Sequence, residues 1–222
     1  MQDLEAIALL QDSARRSLYE YVIAAGHEVS RNEAAAAVGL QRTLAAFHLD
    51  RLAGAGLLEV AYRRLSSRSG PGAGRPAKLY RRAAIERAVA VPPREYAQAA
   101  NVLAAAIERA GAEAVLYDAA REEGIALGRA IARPGDGGAI SELARQLTER
   151  GYEPYTDGAT VRLRNCPFHS VAQQFPVVAC GMNLALLDGM LAGAELAEGH
   201  EARLQPRPGE CCVALISKTN TD

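Results

Sequence analysis

Apolar positions in the first third of the chain recur every three to four residues, the period of an amphipathic helix. After an apolar-rich lead-in from Leu4 to Leu10, Asp12 or Ser13 is placed to cap a helix in which Leu18, Tyr21, Val22 and Ala25 share a face, and Gly26 ends it. Ser30 stands three residues before Glu33, the spacing of a capping box, which predicts a short helix over Ala34 to Val38 stopped at Gly39. A third helix opens at Leu40-Gln41-Arg42-Thr43, carries Leu44, Phe47, Leu49 and Leu52, and runs out at Gly54 and Gly56. The period then changes. Leu57 to Tyr62 and Ala77 to Arg81 read as paired strands, with the Gly- and Pro-rich stretch Ser66 to Pro76 as a flexible basic tip between them.

Neither residue of Pro92-Pro93 suits a helix interior or a central strand, so the pair separates two halves. From Arg94 an Ala-rich helical pattern runs to Ala110, with Tyr96, Ala100, Leu103 and Ile107 on one face, and resumes through Val115 and Leu116 to Ile131. A helix from Ser141 to Arg150 follows, then two short strands, Tyr152 to Thr156 and Thr160 to Arg164, around the hairpin turn Asp157-Gly158. Pro176 can open a helix over Val177 to Ala194, and strands Glu201 to Gln205 and Cys211 to Ile216 close the chain. The pattern predicts an α+β protein in three parts: an N-terminal domain over residues 1–91, a helical linker over 92–133 and a C-terminal α+β domain over 134–222.

Charge sharpens the division. Residues 1–92 hold 13 Lys and Arg against 9 Asp and Glu (+4), and the remainder holds 12 against 17 (−5), although the whole chain is close to neutral. A basic half on a neutral protein suits a polyanion. From Ala61 to Ile85 there are seven basic residues and no acid. Helix, short helix, turn, helix and basic hairpin, in that order, resemble the ArsR-like winged-helix regulators over roughly the first 85 residues. Ala34 to Leu40 carries the likeness as the small-residue turn, and Gly74-Arg75-Pro76-Ala77-Lys78-Leu79-Tyr80 carries it as the wing return. The resemblance implies a winged helix-turn-helix domain with operator DNA as its partner. On the residues themselves, Gln41, Arg42, Thr43 and His48 are polar groups placed to face the major groove, where base edges differ. Arg63, Arg64, Arg68 and Lys78 are candidate phosphate contacts, and Arg75 in the Gly-rich tip is a candidate for the minor groove. Because such modules meet half-sites in symmetric pairs, the apolar stripe after Arg94 and the N-terminal helix are expected to form a homodimer seam.

The four cysteines, Cys166, Cys180, Cys211 and Cys212, all lie beyond residue 165. Such clustering in a reducing compartment points to metal or redox chemistry more than to structural bridges. Here the chain resembles the SufR-like branch of winged-helix regulators, on Asn165-Cys166-Pro167-Phe168-His169, on Cys180 and on Gly209-Glu210-Cys211. That resemblance implies a repressor whose C-terminal domain carries an iron-sulfur cluster, with Cys166, Cys180 and Cys211 in ligand-type positions. Successive side chains on a strand point to opposite faces, so on a regular strand only one of Cys211 and Cys212 can ligate; Cys211 is taken as the ligand and Cys212 as its substitute. The fourth place is open to His169, Cys212 or an outside ligand. Zinc is the alternative metal, since it accepts the Cys and His mixture.

Two further readings compete: a regulator of the same type with an organic-ligand sensor or structural cysteines only, and an enzyme with Cys166 as nucleophile and His169 as base. Without a phosphate-binding glycine fingerprint or assigned oxyanion donors, no enzymatic activity is expected. The acidic N-terminus Met1-Gln2-Asp3-Leu4-Glu5 lacks the basic region of a secretory signal, and no uninterrupted apolar run approaches roughly 20 residues, so a cytoplasmic protein with no membrane partner is expected.

Overall fold

The structure is a computed structural model that describes residues 2–64, 76–131 and 138–218. The chain forms two compact units that divide between Arg94 and Glu95. Helix and sheet are mixed in both, as an α+β chain requires.

In the first unit, helix α1 (Gln2–Ala8) and a single 3-10 turn lead into α2 (Ser13–Ala25). Asp12 accepts from the Arg15 N–H at 2.9 Å to start α2, and Gly26 ends it at φ 69°, in the left-handed region that costs glycine little. Strand β1 (Val29–Ser30) runs directly into α3 (Arg31–Val38). The capping box is present: Ser30 Oγ accepts from the Glu33 N–H and a Glu33 carboxylate oxygen accepts from the Ser30 N–H, both at 3.2 Å. Helix α4 (Arg42–Gly54) follows, then the hairpin of β2 (Leu58–Arg63) and β3 (Ala77–Arg82). The three-stranded antiparallel sheet has the order β1-β3-β2, with Val29 opposite Tyr80 and Val60 also opposite Tyr80 from the other side. Strand β1 escaped the sequence pattern because two residues are too short to show a period, and Ser30 doubles as the helix cap. Leu18, Val22, Ala34, Ala45, Leu49, Leu52, Leu58 and Tyr80 form the core.

The second unit holds α5 (Tyr96–Ala110), α6 (Glu113–Arg129), α7 (Ala139–Glu149), β4 (Pro154–Asp157), β5 (Thr160–Leu163), the single-turn α8 (His169–Ala172), α9 (Pro176–Gly193), β6 (His200–Leu204) and β7 (Val213–Ser217). The two helices read as a linker belong to this unit. Its antiparallel sheet has the order β4-β5-β7-β6. Leu143, Leu147, Tyr152, Leu163, Leu187, Met190, Leu191, Val213 and Leu215 make the core, with α9 at its centre.

Helices α6 and α9 meet backbone to backbone. A Cβ placed on Gly124 would sit 2.1 Å from the Leu186 carbonyl oxygen, one on Gly128 2.3 Å from that of Met190, one on Gly189 2.3 Å from that of Arg121, and one on Gly193 2.2 Å from that of Ile125. Each helix thus presents two glycines four residues apart to the other, the spacing that brings one helical face onto a neighbour. Helix α9 is also the one described segment long and apolar enough to cross a bilayer, with mean hydropathy 1.4 over 18 residues, although Asn183 and Asp188 interrupt its apolar run. In this fold one face of it lies in the interior, with Val178, Ala179, Leu187, Met190 and Leu191 buried, while Val177 is exposed.

Candidate functional site

Three elements bring the four thiols together. Cys166 follows the end of β5, Cys180 lies in the second turn of α9, and Cys211 and Cys212 immediately precede β7. The Cys211 N–H donates to the Leu163 carbonyl at 2.9 Å, and the Cys212 carbonyl accepts from the Gln205 N–H at 2.8 Å, which fixes this short segment against both neighbouring strands. Because β7 begins only at Val213, residues 211 and 212 are not bound by strand alternation. The expectation that Cys212 must face away from Cys211 is therefore corrected. Both interact with the other thiols, Cys211 with Cys166 and Cys212 with Cys180 as well as with each other.

Cys211, at 2% exposure, is the most enclosed of the four. Hydrogen bonds from the Cys166 and Cys212 thiols, from the Val213 N–H and from Asn183 favour the anionic form of its sulfur and outweigh burial, which moves its pKa below the usual thiol range. Those same bonds to a thiolate, with burial, push Cys166 and Cys212 up. The shifts oppose one another because a second buried anion would face the first. Among the described residues, no group of three or more His, Cys, Asp or Glu side chains stands ready to hold a single metal ion. What the cysteines supply is a soft donor set, four sulfurs from three elements, of the kind that thiolate-bound metals take.

Asn183 was missed from the sequence. It is fully buried on α9; its Nδ2 donates to Cys211 Sγ at 3.2 Å, and its Oδ1 accepts from the Tyr152 hydroxyl at 2.6 Å. The readable signal was a lone amide in an apolar helix three residues after Cys180, hence on the same face. Arg162 was missed too. Almost wholly buried, it donates to Glu210 at 3.0 Å and to the Gln205 carbonyl at 2.8 Å, while the Tyr155 hydroxyl donates to the other Glu210 oxygen at 2.7 Å. The loop that delivers Cys211 is clamped at both ends. His169, one of the three candidates for the fourth place, is exposed on α8, where its Nε2 is engaged by Gln173 at 3.1 Å.

In the first unit, Gln41, Arg42 and Thr43 are exposed at the start of α4. His48 is not. At 6% exposure it turns inward and its Nδ1 accepts from Arg15 Nε at 3.3 Å, because positions 45, 48, 49 and 52 form the buried stripe of α4. It is withdrawn as a DNA contact. The residues that face outward instead are Phe47 and Leu44, at 53% and 43% exposure. Arg63 is exposed but paired with Glu28 at 3.1 Å, and Arg64 is exposed. Arg68 and Arg75 lie outside the described residues. Lys78 donates to Asp50 at 2.5 Å, as do Arg31 at 2.9 Å and the Tyr80 hydroxyl at 2.6 Å, so one carboxylate ties α3, α4 and β3 together. Burial pushes Asp50 up, and the bonds from Lys78, Tyr80 and Arg31 more than reverse this, leaving its carboxyl below the usual range. Burial and that carboxylate push Tyr80 up to about 12. A groove of about 480 Å³ opens between the starts of α3 and α4 and the hairpin, lined by Ser30, Arg31, Asn32, Arg42, Tyr62 and Lys78 among others. Its rim is cationic, of a kind that suits phosphate oxygens.

Fold and sites together define an α+β protein with a groove rimmed by Arg31, Arg42 and Lys78 in one unit and a cluster of four partly buried thiols in the other. Comparison with known proteins adds no relative: no family model, curated protein or solved structure matches the chain.

Proposed function

We propose that this protein is a homodimeric, cytoplasmic transcription regulator in which a winged helix-turn-helix domain binds operator DNA and an iron-sulfur cluster on the C-terminal thiols controls that binding. The observation that supports the reading is the convergence of Cys166, Cys180, Cys211 and Cys212 from three elements, linked by thiol contacts from Cys166 and Cys180 to the Cys211–Cys212 pair. A bound cluster would supply one-electron and oxygen-sensitive chemistry, as thiolate-ligated iron generally does. The chain's own part is to present the sulfurs: Asn183 orients Cys211, and the Arg162–Glu210 pair holds the loop that carries it.

The cationic groove and the outward residues Gln41, Arg42 and Thr43 support DNA as the partner, with α4 as the element that enters the major groove. In the second unit α5 buries only Ala104 fully and leaves Tyr96, Val102 and Leu103 exposed. That apolar face supports pairing of two copies. Gain, loss or oxidation of the cluster would favour one arrangement of the dimer over another and so alter operator affinity.

Anaerobic purification followed by visible absorbance, iron and sulfide analysis, and a DNA-binding titration at stated salt tests the proposal. Coloured protein with iron and sulfide, whose affinity for a selected duplex changes on cluster loss, is expected. Colourless protein with one zinc per chain assigns the thiols to zinc and overturns the cluster reading. Affinity that does not depend on sequence overturns the operator reading.

A further inference from the structure

Along α4 the outward stripe runs through positions 43, 47 and 50, one helical turn apart, opposite the buried Ala45, His48, Leu49 and Leu52. Its centre is the Phe47 ring, more than half exposed, with Thr43 one turn before it and Leu44 on its flank. An exposed phenylalanine next to an exposed leucine is a poor choice for water, and the fold has alternatives, since the core beneath α4 is filled by other residues. The ring is not left loose. The Arg51 guanidinium lies over it at 5.7 Å, and the His48 imidazole meets its edge at 5.4 Å. Beside the patch stand Arg51 and, at the head of the helix, Arg42, where the groove lined by Arg31 and Lys78 begins; the one acid on the stripe, Asp50, is neutralised by its pairs with Arg31 and Lys78.

An apolar patch with cations beside it matches one surface in particular, the major groove of a duplex. There phosphates flank base edges, and the 5-methyl of thymine is the apolar feature that marks A·T pairs. We propose that Phe47, supported by Thr43 and Leu44, reads thymine 5-methyl groups in the operator half-site. This inference rests on the reading of the first unit as a DNA-binding domain, and it adds the base chemistry that unit selects. Arg42 and Arg51 position the helix on phosphates, while the Phe47 ring discriminates, because an apolar contact to a methyl distinguishes thymine from cytosine where a phosphate contact does not.

Replacing thymine by uracil removes that methyl and leaves base pairing and charge in place. The test uses the full-length, anaerobically purified protein and a duplex recovered by selection from a random library. Each thymine of the recovered site is replaced in turn by uracil, and affinities are read by fluorescence anisotropy. The expected result is a loss of about three- to fivefold at one or two thymines per half-site, the weight of one buried methyl, and little change elsewhere. In Phe47→Ala, whose fold is checked by circular dichroism, the same thymine-to-uracil changes should have no effect, while Leu44→Ala should reduce it. Uniform indifference of the wild-type protein to uracil, on a duplex it binds specifically, overturns the inference and leaves the DNA-binding reading intact. Recovery of no preferred duplex overturns both.

Discussion

Both ends of the Asn183 amide are occupied, one by a hydroxyl and one by a sulfur, in a place that water does not reach. Asn183→Ala strands the Tyr152 hydroxyl and withdraws a donor from the Cys211 sulfur. Leaving a buried polar group unpaired costs about 1–3 kcal/mol, so urea denaturation should show a loss of that size, and Tyr152→Phe a smaller one. Asp50 offers a test by acid. Its folded-state pKa is depressed by Lys78, Tyr80 and Arg31, so the stability it contributes is fully present above about pH 4, the unfolded range, and is lost as pH falls through the lower folded value. Unfolding followed from pH 7 to pH 2 should therefore show a slope in the acid range that Asp50→Asn flattens. In the basic groove, Arg42→Ala should weaken DNA binding across sequences and reduce the salt dependence by about one counterion. Chemistry at residue scale was only partly legible in the chain. The cysteines announced themselves by clustering, whereas His48 and Phe47 exchanged their expected places, since a one-residue step on a helix turns a side chain by about 100° and the pattern of Leu44, Phe47, Leu49 and Leu52 allowed more than one buried stripe.

At the scale of elements, periodicity and caps located most helices and strands of the described chain, because Asp12, Ser30 with Glu33, Gly26 and Gly39 act through local bonds that need no tertiary partner. The strand expected to begin at Cys211 begins at Val213, and this difference decides the thiol site. Nothing local marks it: the Arg162–Glu210 clamp that shapes the loop joins residues 48 positions apart. Packing of α6 on α9 was likewise invisible in apolar stripes, since its closest approaches are at glycine backbone. Gly124→Ala and Gly189→Ala should each lower the melting temperature, as about 1–3 kcal/mol of overpacking strain exceeds the roughly 1 kcal/mol gained from alanine's helix propensity. Gly54→Ala is the matched control. A Cβ there meets nothing within 4 Å, so this change should be neutral or stabilising in the same melting assay.

At the scale of the whole molecule, the charge division and the Pro92-Pro93 pair placed a boundary near residue 92, and the chain does separate into two compact units at Arg94 and Glu95. The exposed face of α5 belongs to this scale too. Light scattering should give twice the chain mass, and Leu103→Glu should return a monomer, because a charge at the centre of an apolar seam loses its hydration without a partner. How a change at the sulfurs would leave its pocket is less obvious from a list of ligands than from the glycines. Cys180 rides near the head of α9, where the Tyr117 ring of α6 packs on Gly181 and its hydroxyl donates to the Val177 carbonyl at 2.8 Å. Side chains between two helices act as a cushion, sliding or changing rotamer to absorb a small displacement. Farther along, at Gly124 and Gly128 against Gly189 and Gly193, there is no cushion, so a shift of α9 that passes the tyrosine is handed to α6 without slack, as between two gears cut to the same tooth.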